Sequence, residues 1–299
     1  MKKATIGSSL LLFLAACIWG FAFVAQSVGM DYVGPWTFNG ARFLIGGTVL
    51  LPLVCVRIQK KKNTPEALPP ALTIKGGICC GLAICAASLF QQFGIQYTTV
   101  GKAGFITTLY IIIVPVFGLF LRKRVPEKVW IGAVLAAIGM YLLCMTESFA
   151  IGKGDALVFV CAILFSIHIL VIDYFSPKTD GVALSCIQFF TAGIICTAGA
   201  LVTERPSWEQ LAAGALPILY AGVMSCGVAY TLQIIGQRDS DPTIASLILS
   251  MESVVSVLAG WILLGQALAA KELAGCALVF AAVILVQLPG KQEREPGVL

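Results

Sequence analysis

Charge is what this sequence has least of. Asp, Glu, Lys and Arg make up 12% of its 299 residues, where an ordinary soluble domain has about a quarter. That leaves too little polar surface to cover a water-facing body, so a soluble globular protein is excluded, as are a disordered tail and a coiled coil. Histidine occurs once, at His168, and without a second histidine or clustered acids no metal site is expected. No GxxxxGK(S/T) phosphate loop and no HExxH sequence is present, which removes ATP hydrolysis and zinc-dependent proteolysis by these motifs. Ser166 lies two residues from His168, a spacing at which side chains do not face each other on a helix. Every Asp falls at or near the end of an apolar run, which disfavours an intramembrane aspartyl dyad. No cofactor is expected, and the reading is not that of an enzyme.

Cysteine is plentiful by contrast, with eleven residues, but none is arranged as CxxC and almost all fall within apolar runs. There Cys acts as a small hydrophobe, and neither a disulfide framework nor a zinc ligand set has the required spacing. The net charge of +5 is no nucleic-acid footprint, because the bases cluster at the ends of apolar segments. What dominates is hydrophobicity: 59% of residues are apolar and the mean hydropathy is +0.93. About 20 apolar residues cross a bilayer as a helix. Ten such runs can be drawn, at 6–26, 35–56, 76–97, 103–121, 128–146, 155–175, 182–202, 214–236, 242–264 and 272–289. The opening run imitates a secretory signal, with Lys2-Lys3 before Leu10 to Cys17, but Ile18-Trp19-Gly20-Phe21 continues it. It reads as a first membrane helix, because a cleaved signal gives way to polar sequence.

With ten spans and the N-terminus inside, fifteen Lys and Arg fall on the inner side, four on the outer side, and Arg42 within a span. The positive-inside rule then places both termini in the cytoplasm. The two halves also resemble each other. Residues 35–43 align with 181–189 at an offset of 146, which lays Trp19 over Phe165 and Arg42 over Gln188; Gln91 meets Gln233 at 142. Five spans per copy is an odd number, so the second copy enters from the opposite side. The expected fold is an all-α membrane protein of ten transmembrane helices in two inverted five-helix repeats, 6–146 and 155–289. Secondary transporters use this architecture, with a site near the midplane between repeats.

Trp19-Gly20 in span 1, Pro35 with Arg42-Phe43 in span 2, Gln91 to Tyr97 in span 3 and Gly101 to Phe105 opening span 4 carry a more specific likeness, with Ala245 to Glu252 and Leu263-Leu264-Gly265 in span 9. On these residues the chain resembles the drug/metabolite transporter superfamily, in particular its ten-helix EamA-type members. It departs where the family often has Glu-Pro, here Glu252-Ser253, and Leu-Leu-Gly-Glu, here ending in Gln266. The first departure leaves span 9 without a kinking proline. The resemblance implies a bacterial inner-membrane secondary transporter, an exporter of small organic metabolites or drug-like compounds working by alternating access. An intramembrane enzyme acting on a lipid-borne substrate and a non-transporting membrane sensor remain the competing classes. Oligomeric state is open.

Glu252 is the most informative residue. A bare charge in mid-span costs about 2.5–3.5 kcal/mol on insertion scales, so the residue reads either as a contact for a substrate amine or a proton-coupling carboxyl, or as a protonated acid bonded to a neighbouring helix. Ser246, Ser250, Ser253 and Ser256 lie on or beside its helix face, predicting a wall that faces protein or water. Arg42 reads as a side chain that snorkels towards the outer membrane edge, with a structural or gating role and substrate contact both open. His168 is a hydrogen-bonded core residue or a substrate contact. Gln91, Gln92, Gln96, Gln233 and Tyr230 are helix glue or a substrate cradle. Trp19 and Tyr110 are candidate aromatic walls, while Trp36, Trp130 and Trp208 read as interfacial anchors. The candidate substrate-binding set is therefore Glu252, Trp19, Gln91, Tyr110, His168, Tyr230, Gln233 and Ser250.

Overall fold

An apolar chain in lipid has no water to satisfy its peptide groups, and the helix closes every backbone hydrogen bond within the segment. The structure, a computed structural model, describes residues 5–61, 70–98, 100–121, 125–144, 152–264 and 270–287. Among these residues there is no strand. In chain order the helices are α1 (Ile6–Gly29), α2 (Pro35–Lys61), α3 (Pro70–Ile95), α4 (Val100–Thr108), α5 (Tyr110–Phe120), α6 (Glu127–Cys144), α7 (Lys153–Phe175) and α8 (Gly181–Thr203). They continue with α9 (Trp208–Ala213), α10 (Ala215–Leu219), a π-helical stretch at Tyr220–Tyr230, α11 (Thr231–Arg238), α12 (Pro242–Leu249), α13 (Met251–Leu264) and α14 (Ala270–Gln287). Eight stretches are long and apolar enough to cross a membrane, and Leu273–Val286 is a shorter apolar helix.

The distribution of side chains is inside-out relative to a soluble protein. Ile74, Ile78 and Leu82 form an exposed apolar stripe on α3, and Ile131, Val134 and Ile138 another on α6. Meanwhile Arg42, Gln92, Gln188 and Ser246 are buried. An outer surface of this kind suits lipid. The chain is an all-α membrane protein with multiple spans.

Each half of the chain packs mainly on the other. Helices α2 and α8 run antiparallel: Glu204 beyond the end of α8 accepts from the backbone N–H of Trp36 at 2.9 Å and Thr37 at 2.7 Å. At the opposite ends Asp180 accepts from the N–H groups of Val182 and Ala183 and pairs with Arg57 Nε at 3.2 Å. A carboxylate thus caps the first turn of both helices, where their dipoles favour negative charge. Between the caps, Gly40 sits against Thr197 and Gly193 against Leu44. Helices α6 and α14 are likewise antiparallel, with Gly132 against Val286 and Gly139 against Gly275. Helix α3 packs on α7 and α1 on the 220–238 segment.

Several apolar runs that the sequence predicts as unbroken are interrupted. Span 4 is divided at Leu109 and span 9 at Ser250. At the first break the Thr108 hydroxyl donates to the Gly104 carbonyl at 3.0 Å, and at the second Ser250 donates to Leu247 at 2.7 Å. Such back-bonding competes with the helical ladder and bends it. Span 9 therefore bends without the family's proline, through a run of serines. Span 8 departs differently, passing through the π-helical stretch after Pro217. Residues 62–65, 122–124 and 265–266, and the side chain of Lys102, lie outside what is described.

Candidate functional site

Both breaks face the same cavity. It is partly open and is lined by Trp19, Phe23, Gln26, Arg42, Gln91, Thr107, Tyr110, Phe165, Ile169, Ser225, Tyr230, Gln233, Leu249 and Glu252. Six of the eight residues proposed from the sequence line it: Trp19, Gln91, Tyr110, Tyr230, Gln233 and Glu252.

Glu252 opens the first turn of α13 and is 5% exposed. Its Oε1 accepts a hydrogen bond from the Tyr110 hydroxyl at 2.9 Å. Tyr110 opens α5, so this bond joins the two interrupted helices directly beyond their breaks. Gln91 Nε2 donates to Thr107 Oγ1 at 3.3 Å, tying α3 to α4. On the other wall the ring of Trp19 lies 4.5 Å from that of Tyr230, tilted at 57°, which joins α1 to the end of the π-helical stretch. Ser225 comes from the same stretch, and π geometry in a helix is frequent at functional sites. Two buried polar atoms of this wall, Trp19 Nε1 and Gln233 Oε1, have no hydrogen-bond partner.

His168 and Ser250 do not line the cavity. His168 is fully buried, with Nε2 3.1 Å from Gln188 Oε1, and its ring stands 6.0 Å edge-on to that of Tyr230. It supports the aromatic wall from behind. Ser250 is also fully buried, and its hydroxyl is engaged by its own helix. The same holds for Ser246, Ser253 and Ser256, which donate to the carbonyls of Thr243, Ser250 and Ser253 at 2.7–2.9 Å. The serine face is turned to protein, as its pattern predicts, and its hydroxyls bond to their own preceding turn because a short side chain reaches that acceptor first.

Arg42 requires a correction. It does not snorkel to a membrane edge but is 2% exposed and lines the cavity. Nε donates to Asn39 Oδ1 at 2.9 Å and Nη1 to Gln26 Oε1 at 3.3 Å, while Nη2 has no partner. Its guanidinium lies over the Phe43 ring at 4.8 Å, an arrangement that stabilises a desolvated cation. Polar neighbours recruited from α1 and its own helix hold it inside, which position along the span alone does not reveal. Of the remaining glutamines, Gln92 is buried and donates to the Gln26 carbonyl at 3.1 Å, whereas Gln96 is exposed. Trp208 is 86% exposed, as an interfacial residue would be. Trp36 is instead half-buried, with its ring against Gly199.

Sequence reasoning did not single out Phe23, Gln26, Thr107, Phe165, Ile169, Ser225 or Leu249 as site residues. The repeat offsets were the usable signal. At 146 residues Trp19 matches Phe165 and Phe23 matches Ile169; at 142 Gln91 matches Gln233, Thr107 matches Leu249 and Tyr110 matches Glu252. All ten line the cavity. Thr108 and Ser250, whose hydroxyls sit at the two breaks, are also 142 apart.

The profile of the EamA-like transporter family matches the chain twice, over residues 7–145 and 152–288. An uncharacterized transporter of Archaeoglobus fulgidus is 30% identical over 278 residues, spanning 93% of this chain and 84% of that protein. The inner membrane transporter YedA of Escherichia coli K12, itself uncharacterized, is 24% identical across 93% of this chain and 89% of its own length. A solved crystal structure superposes with a TM-score of 0.77 at 18% identity, covering 93% of this chain and 96% of that one, a likeness of fold. The double match, covering nearly all of a chain whose two halves line one cavity, means that this chain belongs to the EamA-like transporter family.

Proposed function

We propose that the chain is a secondary transporter that exports small organic metabolites or drug-like compounds across the bacterial inner membrane by alternating access. In this reading ten helices form two inverted repeats, 6–146 and 155–289, with both termini in the cytoplasm. The observation that carries it is the cavity itself. Residues at matched spacing in the two halves line it together, and both interrupted helices meet there through Tyr110 and Glu252. Discontinuous helices at a site between repeats are a recurring feature of secondary transporters. The antiparallel pairing of α2 with α8 and of α6 with α14 supports an inverted relation, because a two-fold axis in the membrane plane reverses each helix relative to its counterpart.

Within this reading Glu252, Trp19, Gln91, Tyr110, Tyr230 and Gln233 contact the substrate, with His168 and Ser250 acting through the positions of Tyr230 and of the span 9 bend. Glu252 takes a substrate amine or carries the coupled proton. One charge crossing the full membrane potential contributes about 2.3 kcal/mol per 100 mV, enough to drive uphill movement of a neutral solute.

Proteoliposome transport with an imposed proton gradient tests this. Wild-type protein is expected to move its substrate chemically unchanged without ATP, and Glu252→Gln is expected to lose that movement or its pH dependence. Normal transport by Glu252→Gln with an unaltered pH profile removes the assignment. Reporter fusions test the topology separately: residues 147–154 on the same side as Lys60 would overturn the inverted repeats. Product formation from a lipid-borne substrate in detergent, with no gradient, would favour an intramembrane enzyme instead.

A further inference from the structure

We infer that two locks of opposite chemistry, one apolar and one hydrogen-bonded, hold the two ends of the molecule at matched positions, and that the chain parts more readily at the hydrogen-bonded end. The inference rests on the reading of the chain as an alternating-access transporter and goes further by naming the contacts that each opening must break. The apolar lock is a cluster separate from the main core: Cys80 of α3, Ile172 and Phe175 of α7, Leu184 of α8 and Ile234 of α11, none more than 7% exposed. Gly76 brings α3 against Phe175 and Leu184, and Gly181 brings α8 against Ile234. None of the five lines the cavity.

At 146 residues Ile172, Phe175 and Leu184 match Gln26, Gly29 and Phe38, and at 142 Cys80 matches Gly222 and Ile234 matches Gln92. These counterparts also gather, around Arg42. Gln92 Nε2 donates to the Gln26 carbonyl at 3.1 Å, and Arg42 Nη1 donates to Gln26 Oε1 at 3.3 Å. Gly29 sits against the Phe38 ring, which the Arg42 guanidinium overlies at 5.7 Å, and Gly222 sits against the Arg42 carbonyl. Asn39 accepts from Arg42 Nε and donates to the Ser88 carbonyl at 3.2 Å. Gln26 belongs to the last turn of α1, where carbonyls have no partner within the helix, so Gln92 ties α3 to α1 by capping it. The two clusters lie at opposite ends of α3. That helix is antiparallel to α7, with Gly76 against Phe175 and Gly94 against Val158, and the rise along it from Cys80 to Gln92 is about 18 Å.

The chemistry of each lock sets what its opening costs. Parting the apolar one brings hydrocarbon surface into contact with water, which is resisted in proportion to the area exposed. Parting the hydrogen-bonded one exchanges amide and guanidinium bonds for bonds to water, a small net change. That lock also borders the cavity through Gln26 and Arg42, so water in the cavity competes for its bonds, while the apolar lock is set apart from it. The chain therefore yields first where Gln26 meets Gln92. In the topology proposed above that end is the outer one, because α1 starts at the cytoplasmic side.

Amide hydrogen exchange of the purified full chain in lipid nanodiscs, read by mass spectrometry, tests this, since protection reports the free energy of local opening. In wild-type protein, peptides covering 22–30 and 88–95 are expected to be at least about tenfold less protected than those covering 168–176 and 230–238. Gln92→Leu removes the bond to Gln26 and is expected to lower protection about fivefold at its own end, leaving the other end within about twofold. Ile234→Ala leaves a void in the apolar lock and is expected to lower protection at that end by at least about thirtyfold, bringing the two ends level or reversing them. Ile234→Val, the milder variant, is expected to lower it about fivefold. Wild-type protection that is equal at the two ends, or greater at the Gln26–Gln92 end, overturns the inference. So does a variant of either lock that changes both ends alike or neither. The wild-type comparison decides the matter even where Ile234→Ala does not fold. Proteoliposome transport separates the two readings. If solute moves while the two ends are equally protected, the locks fall and transport stands. If the ends differ and respond as expected while no solute moves, transport falls and the locks stand.

Discussion

The residues that the first half of the chain contributes to the cavity and those that the second half contributes share a spacing along the sequence and differ in chemistry. Gln91 and Gln233 are identical across the two, and Trp19 with Phe165 and Phe23 with Ile169 remain bulky and apolar. Thr107 corresponds to Leu249 and Tyr110 to Glu252, all four lining the cavity, whereas Gln188, the counterpart of Arg42, lies outside it against His168. Positions come from helix packing, which tolerates substitutions of similar volume, while a charge on one wall needs no copy on the other.

The comparison can be broken most severely where a backbone approach allows no side chain. A Cβ on Gly20 would meet Val255 Cβ at 2.5 Å and the Ser256 backbone nitrogen at 2.9 Å. Gly20→Val is expected to separate α1 from α13 at a cost of about 3 kcal/mol, seen as the largest fall in detergent melting temperature among these variants. A melting temperature equal to wild type would mean that α1 and α13 do not pack this closely. Next in size is Tyr110→Phe, which removes the hydrogen bond between the two interrupted helices. A hydrogen bond contributes about 1 kcal/mol, so transport should slow by about fivefold, measured as initial rate in proteoliposomes. Retention of the full rate would show that the two helices are coupled by something other than this bond.

The caps of α2 and α8 sharpen the likeness of the halves at the membrane edges. Glu204→Ala and Asp180→Ala each remove a carboxylate cap and should cost about 0.5–2 kcal/mol, with Asp180→Ala also losing its pairing to Arg57. Melting curves that respond to one variant and not the other would indicate that the α2–α8 pair is not held alike at both ends. The smallest effects belong to the breaks. Thr108→Ala and Ser250→Ala remove hydroxyls that bond to their own helices and contact no ligand in the proposed site. Both should change stability by less than about 1 kcal/mol and leave ligand affinity nearly unaltered in calorimetry. A large loss of affinity in Ser250→Ala alone would restore Ser250 as a direct contact.

Much of the cavity lining is legible in the sequence. Glu252 stood out because an ionisable group in a long apolar run is expensive, and Trp19, Gln91, Tyr110, Tyr230 and Gln233 because polar or amphipathic side chains there need partners. Ser250 was misplaced because helical periodicity reports the face a residue occupies but not which acceptor its hydroxyl chooses. Arg42 was misplaced for a related reason. Its distance along the span suggested escape towards water, and only the amide groups of Gln26 and Asn39 show how it is held within. Residues such as Phe23 and Ile169 carry no polar signal at all and are recognisable through the repeat offset once one partner is known.

The amino-acid sequence alone determined that this chain lives in a membrane as helices, since 12% charged residues leave lipid as the medium that suits it and lipid leaves helix as the backbone form that suits such segments. It also carries matched residues at nearly constant spacing in its two halves, each of which fits the same family profile. Tertiary structure decided which side chains meet at the breaks and that Arg42 and Glu252 open onto one cavity without pairing. The meeting of Tyr110 with Glu252 joins residues 142 positions apart, which local periodicity does not encode.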